Sequence, residues 1–302
     1  MMIFTTIRLR AAALLAGFAL ALTGCFMSPG KFRSELALTG PDSFTFTYEG
    51  EIFFLTMSKL AMMGATTQEA FTASECYDEE TYEPRECTED ELAAQRSEWE
   101  AGAQERAEKA KRDAEMMKAL MGGIDPADPK AAEELVRLLE RQKGWNKVVH
   151  KGDGLFEVSY SVSGTLGHDL LFPSIEGFPP TNPFVQMFLR DGGQVRINAP
   201  AFVVQNSDNP MTAMMGGMGS LAGMAAAEAA AKEGGTDNPE AMQIPGVPQL
   251  DGTFTVRTAP GMRILANNTD EGPQAGTAGE TLTWRIDVRT AQYPTALIAT
   301  AP

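Results

Sequence analysis

Residues 43–54 read SFTFTYEGEIFF, and this stretch decides the fold. Its aromatic residues Phe44, Phe46 and Tyr48 alternate with polar residues, which is the period of a β-strand with one buried face. Residues 31–38 alternate in the same way, and a Thr-Gly-Pro-Asp turn separates the two runs. The sequence therefore predicts a β-hairpin that buries an aromatic face.

Further strands are predicted in the second half of the chain. Residues 146–150 and 155–163 alternate on either side of a Lys-Gly-Asp-Gly turn and predict a second hairpin. The other strand patterns lie at residues 184–189, 195–199, 253–257, 262–266 and 281–288. We predict an α+β fold with one antiparallel β-sheet of about six to eight strands.

Between the two hairpins, residues 55–144 have a helical period and predict an insertion. Thr88-Glu89-Asp90-Glu91 is a capping box, with a hydroxyl at the N-cap and a carboxylate three residues later. The helix that follows should run to Met121. A second helix should begin at the cap residue Asp128 and end before Gly144. We expect the two helices to form an inserted α-helical hairpin.

Residues 206–250 form a low-complexity loop, and residues 211–224 hold five of the 17 methionines among glycines and alanines. Thioether sulfur can bind copper(I), but no histidine or cysteine lies nearby to complete such a site. We interpret this Met/Gly/Ala-rich segment as an adaptable apolar flap and expect no cofactor.

The N-terminus has the pattern of a signal peptide. Arg8 and Arg10 precede an apolar run at residues 11–21, which is too short to span a bilayer. Leu22-Thr23-Gly24-Cys25 follows and resembles the lipobox of bacterial lipoproteins at every position. The alternative is an ordinary secretory signal with a chance cysteine.

The lipobox resemblance implies that signal peptidase II removes residues 1–24 and that the Cys25 thiol carries a diacylglyceryl group. Residues 25–31 would then be a tether and residues 32–302 a single domain. The membrane is the expected partner, through Cys25. Asp after the cysteine retains enterobacterial lipoproteins at the inner membrane, so Phe26 predicts the outer membrane, facing the periplasm.

Once Cys25 is lipidated, Cys76 and Cys87 remain as an even pair in an exported chain, which predicts a structural disulfide. Their separation does not match a redox C-x-x-C site. The carboxylates of residues 75–91 lack the spacing of a calcium loop, and we interpret them as a solvated face.

Composition and motifs argue against several functions. The chain has 302 residues and a net charge of −15, and an acidic surface repels phosphate, so no nucleic-acid partner is expected. The only histidines are His150 and His168, and no serine stands in a G-x-S-x-G elbow. We therefore expect no catalytic, cofactor-binding or metal-binding residues and predict that the protein is not an enzyme.

The order of elements and the G-x-x-L-x-W pattern at Gly279 to Trp284 resemble LppM-type bacterial lipoproteins. This resemblance implies an α+β body that binds lipid, but it carries over no binding residue. Two functions are predicted. The first is a non-enzymatic lipoprotein that binds a lipid or another apolar ligand. The alternative is a structural or assembly partner of an envelope protein, which uses the helical hairpin at residues 88–143.

Overall fold

β-Strands are the commonest element of the described residues, and three α-helices interrupt them there. The computed structural model describes residues 27–58, 71–78, 83–178, 183–203 and 248–300. The strands are β1 (Met27–Gly40), β2 (Ser43–Phe54), β3 (Cys76–Tyr77), β4 (Pro84–Arg85), β5 (Trp145–Gly152), β6 (Leu155–Thr165), β7 (Leu170–Phe172), β8 (Val185–Arg190), β9 (Gln194–Asn198), β10 (Asp251–Arg257), β11 (Arg263–Asn267), β12 (Gln274–Gly276), β13 (Gly279–Ile286) and β14 (Thr295–Ala299). The helices are α1 (Glu89–Ala101), α2 (Ala103–Leu120) and α3 (Ala131–Glu140). The predicted α+β class is confirmed.

The larger sheet has seven strands in the order β12–β13–β10–β1–β2–β6–β5. Its centre is the predicted hairpin of β1 and β2, in which Leu36 lies opposite Phe46 and Ser34 opposite Tyr48. β2 continues the antiparallel pairing with β6 along its length. Side chains on one face of these strands are buried because they alternate with polar residues at period two.

One pairing departs from the expected antiparallel sheet. β1 and β10 are parallel, with Lys31 opposite Asp251 and Ala37 opposite Arg257. Parallel neighbours need a long crossover rather than a tight turn, and here residues 41–250 lie between the two strands. Alternation within a strand carries no information about strand direction, so the sequence pattern could not reveal this pairing.

A second sheet of five strands, in the order β11–β14–β9–β8–β7, covers the aromatic face of the first. This corrects the expectation of one sheet. Both sheets contribute to a single buried cluster, in which Met187, Ile197 and Ile298 come from the smaller sheet. Alternation identifies which side chains point inward, but it does not identify which sheet a strand joins.

Phe172 of β7 lies at the centre of the interface between the sheets. Its ring centroid is 4.7–6.0 Å from those of Phe46, Tyr48, Trp145, Tyr160 and Phe184. Tilted aromatic pairs of this kind add about 0.5–1.5 kcal/mol each beyond the area they bury.

Tyr48 brings a polar group into this interface. Burial and the nearby Glu51 raise its pKa well above the usual value, so the hydroxyl stays protonated. It donates a hydrogen bond of 2.8 Å to the Glu51 carbonyl oxygen, which satisfies the buried group.

The helices depart from the predicted hairpin. The capping box is confirmed, with Thr88 and Glu91 bonded reciprocally at the start of α1. However, the helix is interrupted at Gly102, and α2 contains no buried residue. α3 instead packs on the body beside β5, through Leu135 and Leu139. The physical reason is that alanines dominate the apolar positions of α2, whereas α3 has leucines four residues apart.

The second helix also begins later than expected. Asp128 is not its N-cap, because α3 starts at Ala131 after Lys130. The Asp128 carboxylate accepts a hydrogen bond of 2.7 Å from the Lys130 N–H in the preceding turn. Asp128 therefore stabilises the turn before the helix rather than its first residues.

The predicted tether at residues 25–31 is also corrected, because β1 already begins at Met27. Met27 lies opposite Phe54, and Pro29 lies opposite Ile52. Met27 and Pro29 are buried, so the chain joins the sheet directly. The Ser-Pro-Gly sequence resembles a linker, but here it forms the irregular end of a strand. The predicted signal peptide, Cys25 and the predicted flap at residues 211–224 lie outside the described residues.

Replacing Phe172 with alanine should lower the free energy of unfolding by about 3–5 kcal/mol, because the lost ring leaves a cavity between the sheets. Its neighbour Leu171 points outward and is 36% exposed. Leu171→Ala should therefore change stability by only about 0.5 kcal/mol. Urea denaturation of both variants measures the difference, and equal losses would contradict the central position of Phe172.

Candidate functional site

The candidate site is a helical element outside the sandwich core. We call residues 71–78 and 83–120 the stapled arm. Cys76 and Cys87 form the predicted disulfide, with 5.2 Å between their Cα atoms. Within the acidic segment around them, β3 and β4 pair as a two-stranded ladder with Cys76 opposite Arg85.

Gln95 joins the segment that carries the disulfide to α1. The Ser74 N–H donates to the Gln95 side-chain oxygen at 2.8 Å, and the Gln95 amide nitrogen donates back to the Ser74 carbonyl at 3.4 Å. The same nitrogen lies 3.6 Å from the Cys76 sulfur. This reciprocal pair of hydrogen bonds fixes the disulfide against the helix, and no local sequence pattern indicates it.

Aromatic and cationic side chains form a second contact within the arm. Phe71 and Trp99 meet edge to face at 6.0 Å, and the Arg106 guanidinium lies 4.2 Å from the Trp99 ring centroid. Arg96 lies 5.3 Å from the Phe71 ring centroid. Cation–π contacts at exposed sites contribute about 0.5–1 kcal/mol. Because Trp99 and Arg106 lie on opposite sides of Gly102, their contact links α1 to α2.

An ion pair fixes the beginning of α1. Arg85 donates two hydrogen bonds to the Glu91 carboxylate, at 2.9 and 2.6 Å. The Thr88 N–H donates to the same carboxylate at 2.8 Å. Hydrogen bonds from Arg85 first, and then from Thr88, lower the pKa of Glu91 to about 2. The carboxylate therefore stays charged near the helix N-terminus, where a negative charge is favourable.

The described residues between 75 and 100 form the acidic part of the arm, which we call its tip. Exposed carboxylates crowd the described residues between 75 and 100: Glu75, Glu83, Glu86, Glu89, Asp90, Glu98 and Glu100. By contrast, α2 carries both positively and negatively charged side chains, including the exposed pair Arg112–Glu108. Such a tip attracts basic surfaces and repels acidic ones.

The chain's two histidines both lie on the surface of the described residues. His150 is exposed on β5, with its ring 4.8 Å from that of Phe156. His168 is exposed in the turn before β7. The carboxylate of its neighbour Asp169 accepts a hydrogen bond from the Leu189 N–H at 2.9 Å. Among the described residues, no group of three or more metal-ligating side chains has the geometry to hold a metal ion.

An open surface depression of about 500 Å³ lies where α2 ends near α3. It is lined by Gly122, Leu138, Arg141, Gln142, Glu176 and Gly177. The Gln142 side-chain oxygen accepts a hydrogen bond from the Glu176 N–H at 3.1 Å. Arg141 and Glu176 bring opposite charges to the rim, so the depression does not favour a ligand of either sign.

No protein-family model matches this chain, and no curated protein matches its sequence. In the part of the chain that the structure describes, no helix has the length and apolar character needed to cross a bilayer.

Arg85→Ala should raise the pKa of Glu91 from about 2 towards its usual 4.5, because the carboxylate loses its strongest donor. In the parent protein, the stabilisation that Glu91 gives to the arm should be complete above about pH 4.5 and lost as the pH falls towards 2.

Carboxyl-carbon NMR titration measures the pKa of Glu91 directly. Arg112→Ala is the matched control, because it breaks the exposed pair with Glu108 and leaves Glu91 untouched. If Glu91 titrated alike in the parent and in the Arg85→Ala variant, the ion pair would not be the cause of the lowered pKa.

Proposed function

We propose that this chain is a non-enzymatic lipoprotein of the bacterial envelope. Acylated Cys25 holds it at the outer membrane, and its body faces the periplasm. The stapled arm is its interaction element and binds an envelope protein. The lipobox at residues 22–25 supports the anchor, and the disulfide between Cys76 and Cys87 is typical of an oxidising compartment.

One observation carries the proposal for the arm: α1 and α2, which both lie within the described residues, bury no residue. Helices of 13 and 18 residues are marginal in water without packing partners. Here the capping box, the disulfide and the Trp99–Arg106 contact stabilise an element that adds nothing to the core. Maintaining such an element outside the body favours a role in binding.

The charge of the tip indicates the chemistry of the partner. Carboxylates outnumber cations between residues 75 and 100, so a basic surface on the partner would be complementary. Contacts between exposed charges weaken as salt is added, and binding through the tip should therefore decrease with ionic strength.

The other expected role, binding of a lipid or apolar ligand, stays a prediction. The aromatic face that motivated it is filled by the smaller sheet, with Phe172 and Phe184 fully buried there. A ligand on that face would have to displace these rings. Native mass spectrometry of the delipidated protein tests this role, and a reproducible bound lipid would favour it over the arm.

The anchor is tested by metabolic labelling with palmitate. The parent chain should incorporate the label, and Cys25→Ala should incorporate none and keep its signal peptide, which raises its apparent mass. The matched control is the Cys76→Ser/Cys87→Ser double variant, which retains Cys25 and should be labelled like the parent. A labelled or normally processed Cys25→Ala variant would refute the anchor.

The arm is tested by photo-crosslinking in cells. A photoreactive residue at Ala94, exposed on α1, should give a specific protein adduct, whereas one at Thr47, exposed on the larger sheet, should give none. Adding Glu98→Lys and Glu100→Lys should reduce the Ala94 adduct several-fold, because the tip loses its charge complementarity. Absence of a specific adduct at Ala94 would refute the interaction role.

A further inference from the structure

The distance between the lipid attachment site and the folded body is very short. β1 begins at Met27, two residues after Cys25. Two residues span at most about 7 Å even when fully extended. Met27 is buried and paired with Phe54, so it cannot add length without breaking the sheet. An acyl group on Cys25 would therefore hold this end of the sheet at the lipid surface.

We call this part of the body the Met27 end; it comprises Met27, residues 54–57 and residues 151–155. The Phe54 N–H donates to the Gly154 carbonyl at 2.8 Å, so the β5–β6 turn lies against the end of β2. Leu55, Met57 and Leu155 are half-buried here, and Lys151 is exposed.

The base of the stapled arm lies at the same end. The Thr56 hydroxyl donates to the Met121 sulfur at 3.2 Å, and Met121, which follows α2 directly, is fully buried. Thr56 is two residues from Phe54, the partner of Met27. The lipid attachment site and the C-terminal base of the arm therefore share one end of the body.

We propose that the Met27 end is a membrane-contact surface that rests on the phospholipid headgroups, so that the body stands end-on with the base of the arm at the bilayer. This inference rests on the proposed acylation of Cys25. The β1–β2 turn at Pro41 and Asp42 then points away from the membrane, because β2 would extend about 36 Å from one end to the other.

The two outer faces of the sandwich are the competing contact surfaces. The outer face of the larger sheet offers mostly threonines, serines and charges paired as in Arg257–Glu35 and Lys147–Glu157. The outer face of the smaller sheet combines half-buried Phe188 with exposed Arg196. That face could approach lipid, but the short reach from Cys25 to Met27 favours the Met27 end.

Fluorescence quenching by lipids with nitroxide headgroups tests the orientation. The acylated full-length protein is reconstituted in phosphatidylethanolamine and phosphatidylglycerol vesicles, with a thiol-linked fluorophore at one introduced cysteine. The variants are Lys151→Cys at the Met27 end, Asp42→Cys at the opposite turn and Arg196→Cys on the smaller sheet. All three positions are exposed, and the native cysteines are acylated or bonded to each other, so only the new thiol reacts.

We expect quenching at position 151 to be several-fold stronger than at positions 42 and 196. Strongest quenching at 196 would mean that the body lies on the smaller sheet, and equal quenching at all three would mean that it has no fixed orientation. Either result would overturn the inference.

A variant with a longer linker tests whether the short tether causes the end-on orientation. Insertion of a Gly/Ser linker of about 20 residues between Phe26 and Met27 gives an average reach of about 25 Å. Quenching at position 151 should then fall towards that at 42, with palmitate labelling unchanged. Unchanged preferential quenching would contradict the short tether as the cause of the orientation.

The two proposals fail in different ways. If the parent chain takes up no palmitate, the lipoprotein proposal itself fails. If it is acylated but position 151 is not preferentially quenched, only the end-on orientation fails.

Discussion

The packing of Phe172 against the aromatic face of the larger sheet is the contact on which the rest of the body depends. Five aromatic rings surround it, four from the larger sheet and the fifth, Phe184, from the residue just before β8. Because the smaller sheet seals this face, the helices are not needed to cover it. α3 adds two leucines at the margin beside β5, and α1 and α2 remain outside the core. The arm can project because the sandwich is complete without it.

Local patterns in the sequence predicted much of this fold. The alternation of Phe44, Phe46 and Tyr48 gave the central hairpin, and Thr88 with Glu91 gave the start of α1. These signals act over a few residues, so they survive in any tertiary context. The second sheet and the parallel pairing of β1 with β10 depend on which strands meet, and a strand's own period does not encode its neighbour.

Only those parts of the candidate site that have a local sequence signal could be predicted. Two cysteines behind a predicted signal peptide were enough to predict the disulfide. The contacts that position the disulfide were not predictable. Gln95 bonds the backbone of Ser74, and Trp99 contacts Phe71, and in each contact the two partners are distant from each other in the sequence. The Trp99–Arg106 contact had a weak signal, since residues seven apart share a helix face. The break at Gly102 followed from a single glycine, which costs about 1 kcal/mol in a helix interior.

The parallel pairing of β1 with β10 also has a consequence for biogenesis. One edge of β1 pairs with β2, which follows it immediately in the sequence. The other edge pairs with residues 251–257, which are synthesised much later. Synthesis proceeds from the N-terminus, so β1 keeps a bare hydrogen-bonding edge until most of the polypeptide has been made. Unpaired edges recruit other chains, and the incomplete protein is therefore most prone to aggregate before residues 251–257 are available to pair. A truncation that ends before Asp251 would make that vulnerability permanent.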